Sequence, residues 1–371
     1  MTDQPASNRR DFLQGKSLLR QVEAAGGAFA DELREGEAPP DGFYAGPTVS
    51  LGKEAMACRF EVLLNPGAGP GLAAASRVLD LVDELEDQLS VYRSHTELSR
   101  LNHAAAEGAV SVEKHLFDLL IQCRQLAQET RGAFDPTSGP LVALWRKCKQ
   151  DLRIPSDDEI VEALQSCGMG QIEFDEAART VRYQRIGVEI NLGAIGKGYA
   201  LDRGAEILAE AGINDWLLHG GLSSILARGN HGGYEGWPVG IRNPLAPDKL
   251  MATLLLRDHG MGTSGSGTKF FRVGGERFGH ILDPRTGWPV EGMLSVTVLA
   301  PTAALADALS TAFFVLGVEK SLQFCHNHPD VRAILVPLPA PGRRLQPLAI
   351  GVPEDALLFS PEVLPTTIPQ P

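Results

Sequence analysis

The stretch from Val188 to Gly229, VEINLGAIGKGYALDRGAEILAEAGINDWLLHGGLSSILARG, contains the pattern from which the fold can be predicted. It opens with an apolar, β-branched run over 188–192, which is typical of a buried strand. After a short loop, apolar residues between 200 and 211 recur on one face of a helix, with charged residues opposite. A second apolar run over 216–219 predicts another strand. The order of strand, glycine loop, helix and strand indicates one packed unit.

The loop at 193–198 is a candidate anion site. It contains glycines and Lys197, and it directly precedes the predicted helix. Backbone N–H groups at a helix N-terminus bind phosphate, and the lysine adds a positive charge beside them. The alternative is that the glycines only form tight turns, since glycine loops before helices are common.

Composition excludes several classes of protein. The 371 residues carry 34 Lys and Arg against 46 Asp and Glu, a net charge of −12. A chain this acidic is a poor candidate for sequence-independent nucleic-acid binding, so we expect no nucleic-acid partner. No run approaches the roughly 18 apolar residues of a transmembrane helix. The five cysteines include no Cys-x-x-Cys pair, which argues against a disulfide scaffold and against zinc or iron–sulfur sites.

The two ends of the chain differ in composition from its centre. Residues 1–46 are predicted to be a tail and linker that contains a degenerate twin-arginine signal, Ser7–Leu13. Charged residues at Arg20 and Glu23 interrupt the apolar segment that such a signal needs. We therefore expect a cytoplasmic protein, with twin-arginine export to the periplasm as the alternative. A folded domain is predicted over 47–338, followed by a proline-rich extension over 339–371 that wraps the surface.

Helices and strands alternate irregularly through the folded part. Helices are predicted at 72–89, 113–130 and 303–316, and strands at 59–64, 239–244, 251–257, 295–300 and 331–336. The glycine and serine run at 261–267 is predicted to be a loop. This order, with several hairpin-like pairs, indicates an α+β protein with mixed, largely antiparallel sheets and packed helices.

Asp307, Ser310 and Thr311 lie at i, i+3 and i+4 on an otherwise apolar helix. A carboxylate among alanines and leucines is costly to bury without a partner. A hard cation such as Mg²⁺ would satisfy it, with hydroxyl or carbonyl oxygens completing the shell. The alternative is a solvated helix edge.

Three other positions are candidates for chemistry or for ring binding. His280, with Asp283 three residues later, could do acid–base work, although Asp283-Pro284 is more typical of a turn. Tyr92 and Phe134 could offer aromatic faces to a flat ring, although aromatic residues near helix starts are more often core.

Several segments, taken in chain order, resemble the motifs of the FAD:protein FMN transferases, the ApbE-type flavin transferases. Two of them carry most of the resemblance: GAFDPTSGPLVALW over 132–145 and NLGAIGKGYALD over 191–202. The other matching segments are Met56–Cys58, Tyr92–Asn102, Thr263–Gly265, His280–Gly287 and Ala306–Thr311.

The resemblance implies an ApbE-like fold and a definite activity. FMN would be transferred from FAD to a Ser or Thr hydroxyl of a target flavoprotein, with Mg²⁺, and AMP would be released. The implied FAD contacts are Met56, Tyr92, Ala133, Phe134, Asp135, Asn191, Lys197 and Leu282. The implied metal ligands are Asp307, Thr311, Ser310 and the backbone carbonyl of Ala194. The predicted catalytic residues are His280, for the attacking hydroxyl, and Asp307.

Three departures from the family pattern leave alternatives open. Asn191 stands where the family usually has Asp, Leu222 where an acidic or amide residue is common, and Ser266-Gly267 where it has an acidic–aromatic pair. One alternative is an FAD diphosphate hydrolase that gives FMN and AMP. The other is a flavin-binding protein without catalysis.

Overall fold

Alternating side chains on the central strands divide the apolar core into two clusters. In the strand Cys58–Leu64, Phe60 and Val62 belong to one cluster, whereas Leu63 belongs to the other. The strand Arg332–Pro337 alternates in the same way, with Leu335 in the first cluster and Val336 in the second. Because successive side chains of a strand point to opposite faces, the two clusters lie on opposite faces of one sheet.

The computed structural model describes residues 47–266, 270–273, 276–340 and 342–369. Its helices are α1 Gly71–Leu89, α2 Glu97–Ala104, α3 Lys114–Glu129, α4 Gly139–Gln150, α5 Asp157–Leu164, α6 Gly196–Glu210 and α7 Ala303–Asn327. Its strands are β1 Val49–Ala55, β2 Cys58–Leu64, β3 Val110–Ser111, β4 Ile172–Asp175, β5 Thr180–Tyr183, β6 Trp216–Gly220, β7 Ser224–Arg228, β8 Trp237–Asn243, β9 Ala246–Leu256, β10 His259–Gly265, β11 Phe270–Val273, β12 Glu276–Gly279, β13 Met293–Ala300, β14 Arg332–Pro337, β15 Leu348–Ile350, β16 Leu357–Phe359 and β17 Thr366–Ile368.

The main sheet has nine strands in the order β1-β2-β6-β7-β10-β13-β14-β15-β17. All neighbours in it are antiparallel except β15 and β17. Helices α1, α6 and α7 cover one face, and the three-stranded sheet β16-β9-β8 covers the other. Smaller sheets are formed by β3-β5-β4 and by β11-β12. The predicted α+β class with largely antiparallel sheets is confirmed.

The strand predicted at 188–192 is wrong. The segment is extended and alternately buried at Val188, Ile190 and Leu192, but it pairs with no strand among the described residues. A side chain takes the place of the neighbouring strand: Asn102 Nδ2 donates to the Ile190 carbonyl at 2.8 Å, and the Ile190 N–H donates to Asn102 Oδ1 at 2.9 Å. The apolar pattern therefore predicted burial correctly and pairing incorrectly.

The loop predicted at 261–267 is also wrong, because residues up to Gly265 form the central strand β10. Its glycines serve close packing rather than turns. A Cβ on Gly260 would lie 2.5 Å from the Ala303 nitrogen, and one on Gly262 would lie 2.4 Å from the Ala306 carbonyl oxygen. Helix α7 thus lies directly on the backbone of β10. Residues 267–269 lie outside the described residues.

The remaining predicted elements agree with the structure within a few residues. Helix α7 begins at Ala303 as expected and continues past a break at Gly317, whose φ is 73°. Within the C-terminal extension, β15 and β17 extend the main sheet and β16 pairs with β9. The predicted tail at 1–46, with its twin-arginine motif, lies outside the described residues. None of the described helices is both long and apolar enough to cross a membrane.

The close approach of α7 to β10 predicts the effect of one methyl group. Gly262→Ala should lower the free energy of unfolding by about 1–3 kcal/mol, because the new Cβ meets helix backbone that cannot rotate away. Gly265→Ala, on the same strand, is the control. Its Cβ would lie 3.4 Å from the nearest atom, and a change below about 1 kcal/mol is expected. Urea unfolding measures both; equal losses would contradict the packing account.

Candidate active site

Three alternate residues of β10 form the surface against which α7 packs. Gly260, Gly262 and Ser264 alternate along the strand and therefore share a face. The two glycines admit the helix backbone, and the serine that follows reaches its polar residues. On the adjacent strand, Ser224 pairs with Gly262 in the ladder and faces the same helix. The sheet thus presents the hydroxyl groups of Ser224 and Ser264 to α7 where the helix carries polar side chains.

The Asp307 carboxylate is the centre of this polar patch. Asp307 is only 5% exposed. The Ser224 hydroxyl donates to Oδ1 at 2.6 Å, and the Gly198 N–H donates to Oδ2 at 2.8 Å. Burial raises the pKa of Asp307, while Lys197 and these two hydrogen bonds act in the opposite direction. Asp307 is therefore a buried carboxylate with partners, and the solvated helix edge is excluded.

Hydroxyl groups gather on the next turn of the same helix. Ser264 Oγ lies 2.9 Å from Ser310 Oγ and 3.2 Å from Thr311 Oγ1. Ser310 also donates to the Asp307 carbonyl at 2.9 Å. The predicted face of Asp307, Ser310 and Thr311 is present, and Ser264 joins it from the sheet.

Lys197 and the start of α6 approach the carboxylate from the other side. Lys197 Nζ lies 3.9 Å from Asp307 Oδ2. The Gly198 N–H donates to Asp307 instead of to the carbonyl four residues earlier, that of Ala194. No hydrogen bond to the Ala194 carbonyl oxygen is found within the described ranges. The predicted anion loop therefore leads directly to the carboxylate and leaves a carbonyl oxygen available.

A cavity of about 210 Å³ opens beside this loop. It is lined by Asn191, Gly193, Gly196 and Lys197, together with residues of the α1 end, the following loop and the β1–β2 turn. Four of the predicted FAD contacts line it: Met56, Tyr92, Asn191 and Lys197. The family resemblance thus named residues that the fold brings together from three separate segments.

The β1–β2 turn brings Met56 to the cavity at a conformational cost. Ala55 pairs with Cys58, so Met56 and Ala57 form a two-residue hairpin loop with φ of 49° and 59°. Such turns favour Asn and Gly, since positive φ is unfavourable for other side chains. Strained backbone of this kind is typical of ligand sites, which supports the predicted contact at Met56.

Tyr92 is on the cavity wall and 65% exposed, so it is not a core aromatic residue. The Arg146 guanidinium lies 5.7 Å from its ring centre. Phe134, in contrast, is 2% exposed and belongs to the core, as does Ala133. Of the two aromatic candidates, only Tyr92 is exposed at the cavity.

Nine predicted site residues do not line this cavity: the metal-ligand candidates Ala194, Asp307, Ser310 and Thr311, and also Ala133, Phe134, Asp135, His280 and Leu282. Asp135 is held by Thr137, whose N–H and hydroxyl both donate to Oδ1, and burial raises the pKa of Asp135. Leu282 forms an isolated bridge with Pro289, and Asp283 starts a turn in which Gly287 N–H donates to its carbonyl at 2.8 Å. His280 is exposed just before that turn. The assigned roles of these residues stay predictions.

Two of the departures lie away from the cavity. Leu222 occupies a left-handed position, φ 58°, in the β6–β7 turn and packs against the second core cluster. Ser266 donates to backbone carbonyls of β13. Only Asn191 lines the cavity, and its Oδ1 accepts the Gly193 N–H at 2.9 Å. Among the described residues of the three departures, the change of polar chemistry in the cavity is thus one amide.

Sequence reasoning missed three contributors to the site: Ser224, Ser264 and Asp202. Ser224 and Ser264 lie on strands whose position against α7 depends on distant glycines. Asp202 belongs to the quoted motif, but its partners, the N–H groups of Ala303 and Ala304, are 101 and 102 residues away. The signal that could have indicated Asp202 is its place as the last residue of the quoted motif NLGAIGKGYALD.

Comparison with known proteins shows the family to which this chain belongs. The model of the ApbE family matches residues 56–335. The chain belongs to the ApbE family. An FAD:protein FMN transferase of Klebsiella pneumoniae (strain 342) is 35% identical over 267 residues, which is 71% of this chain and 82% of the relative. One from Treponema pallidum (strain Nichols) is 33% identical, over 75% of this chain and 81% of the relative.

Solved structures agree in fold. The ApbE protein of Thermotoga maritima is similar with a TM-score of 0.71 at 30% identity, covering 78% of this chain and 94% of that one. The flavinyl transferase ApbE of Pseudomonas stutzeri, in its apo form, gives 0.71 at 26% identity, covering 82% and 94%. The predicted family, its fold and the expectation of an enzyme are confirmed.

The two hydrogen bonds between the Asn102 side chain and the Ile190 backbone are expected to stabilise the segment that leads into the cavity loop. Asn102→Ala should lower the free energy of unfolding by about 1–3 kcal/mol, because both polar groups of Ile190 lose their partner inside the protein. Tyr183→Phe is the control, since it removes only the hydroxyl that donates to Asn102 Oδ1 at 2.7 Å. A loss of about 0.5–1.5 kcal/mol is expected there. Urea unfolding that ranks the two variants in reverse would contradict this account.

Proposed function

We propose that this chain transfers the FMN half of FAD to a Ser or Thr hydroxyl of a target flavoprotein, with Mg²⁺, and that AMP leaves. The names of the relatives supply the general reaction. The observation that carries the proposal here is a buried carboxylate, that of Asp307, next to a lysine at a helix N-terminus. This pairing combines a group for a cation with a group for a diphosphate.

The diphosphate of FAD fits the start of α6. Its negative charge would be stabilised by the positive end of the helix dipole and by the Lys197 ammonium. The adjoining cavity, with exposed Tyr92 on its wall, offers a face for one flat ring of FAD. Asn191 Oδ1 is already used by Gly193, so the amide N–H groups of Asn191 are the ones available to the ligand.

The residues around Asp307 fit Mg²⁺. They are oxygen donors: the carboxylate, the hydroxyls of Ser310 and Thr311, and the carbonyl of Ala194. Hard cations prefer such donors, and Mg²⁺ is often held by only one carboxylate together with substrate phosphates. The described residues contain no cluster of three or more His, Cys, Asp or Glu, so the proposed site depends on hydroxyl, carbonyl and phosphate oxygens beside one carboxylate. Bound there, Mg²⁺ would supply neutralisation of charge on the diphosphate during transfer.

The reaction breaks one bond between the two phosphates and forms one to the acceptor oxygen. The acceptor hydroxyl attacks the phosphorus of the FMN half, its proton goes to a base, and AMP leaves with the bridging oxygen. His280 is our candidate for that base, since it is exposed to an approaching protein. Lys197 stabilises the charge that develops on the leaving phosphate.

The proposal predicts the effect of removing one charge. Asp307→Asn should reduce the rate of AMP release from FAD by about 100-fold or more, because the isosteric amide can still accept a hydrogen bond but holds a cation poorly. AMP release is measured chromatographically with Mg²⁺ and with chelator, alongside mass spectrometry of a candidate acceptor. Asp118→Asn is the matched control, because Asp118 is exposed on α3, and it should retain full activity.

The outcomes separate the candidate functions. Metal-dependent AMP release with an acceptor mass gain of FMN less one water supports transfer. AMP with free FMN and an unmodified acceptor would identify the diphosphate hydrolase. Bound FAD with no AMP under any metal condition would identify a flavin-binding protein, and an unchanged rate in Asp307→Asn would exclude the metal assignment.

A further inference from the structure

Helices α6 and α7 each carry a carboxylate that accepts hydrogen bonds from N–H groups in the first turn of the other helix. Asp202 of α6 accepts the N–H of Ala303 on Oδ1 at 2.8 Å and that of Ala304 on Oδ2 at 2.9 Å. In return, Asp307 of α7 accepts the Gly198 N–H of α6 at 2.8 Å. The first turn of each helix has N–H groups without a partner inside its own helix. Each helix therefore supplies hydrogen-bond acceptors for first-turn N–H groups of the other helix.

The backbones of the two helices touch where these bonds form. A Cβ on Gly198 would lie 2.2 Å from the Ala303 carbonyl oxygen, so the contact is between main chains. The pair of Asp202 bonds and the Gly198 bond span one turn of each helix, because Asp202 is four residues after Gly198 and Asp307 is four after Ala303. Two attachments one turn apart fix both the rotation and the height of α7 relative to α6.

We propose that Asp202 is a positioning residue for the cation site: it sets α7 in register with α6, so that Asp307, Lys197 and the Ala194 carbonyl face one point. This inference rests on the proposed function. Asp202 itself does not contact Lys197 or Asp307 through any hydrogen bond or ion pair among the described residues. Its effect on the cation passes through the helix.

A second cap on α7 separates positioning from simple stabilisation. Thr302 Oγ1 accepts the Leu305 N–H at 3.2 Å, which caps the same helix, and no hydrogen bond from the Thr302 side chain to α6 is found among the described residues. Removing either cap weakens the helix end. Only the loss of Asp202 also removes hydrogen bonds between α6 and α7.

The test measures cation binding directly, with Mn²⁺ as the probe and electron paramagnetic resonance to count free Mn²⁺. Asp202→Ala should raise the Mn²⁺ dissociation constant about 10-fold or more, the usual effect of losing a group that orients a metal ligand. Thr302→Ala should change it by less than about twofold, although both variants melt at lower temperature. Asp202→Asn removes the same charge as Asp202→Ala but keeps one acceptor oxygen, so it should fall between Asp202→Ala and the unsubstituted protein.

Mg²⁺ titration of AMP release completes the test. Asp202→Ala should need more Mg²⁺ for half-maximal rate, with little change in the KM for FAD. An Mn²⁺ affinity of Asp202→Ala that equals that of Thr302→Ala would overturn the inference, as would identical behaviour of the Asn and Ala variants. Tight Mn²⁺ binding without AMP release, in the unsubstituted protein, would refute the proposed function and leave the positioning role testable. Absence of Mn²⁺ binding would overturn both.

Discussion

Helix α7 packs directly against the backbone of glycine residues in β10 and α6, and the rest of the structure depends on this contact. Gly198, Gly260 and Gly262 each lie where a Cβ would approach the α7 backbone to 2.2–2.5 Å. A helix held this close to a strand and to another helix has no freedom to slide. Its polar residues therefore meet defined partners, and Asp307 receives hydrogen bonds from both neighbours, one from Ser224 and one from Gly198.

The same contact explains how a carboxylate is tolerated in the core. Burial raises the pKa of Asp307, so the protein environment alone disfavours its charge. Lys197 and two hydrogen bonds offset part of that penalty, and a divalent cation would offset more. Because a cation binds the ionised form, it would compete with the proton at this group. The charge of Asp202 is disfavoured in the same way, since burial raises the pKa of Asp202 to about 6. Repulsion from the Asp307 carboxylate raises this pKa as well.

Local patterns in the sequence predicted most helices. The i, i+3, i+4 spacing from Asp307 to Thr311 predicted that these oxygens share one helix face, as the structure shows. The glycine loop with Lys197 predicted an anion site, which stays a prediction. Their meeting in space could not be predicted, because it depends on α7 reaching α6 across about a hundred residues of chain. The structure brings Lys197 Nζ within 3.9 Å of Asp307.

The errors have a common physical origin. Glycines in β10 were interpreted as loop formers because local propensity carries no information about a helix packed above them. The run at 188–192 predicts a strand because its alternation is genuine, whereas its partners are the Asn102 side chain, 88 residues before Ile190, and the Pro136 carbonyl, which accepts the Asn191 N–H at 2.7 Å. In both cases the tertiary contact determines what the local pattern means.

The most direct test of this account is to locate a cation by anomalous scattering in crystals grown with Mn²⁺ and FAD. The account predicts a peak within about 2.0–2.6 Å of an Asp307 carboxylate oxygen, the range for oxygen ligands of hard cations, with the FAD diphosphate beside Lys197. A cation bound elsewhere, or FAD bound with its diphosphate away from the start of α6, would contradict it.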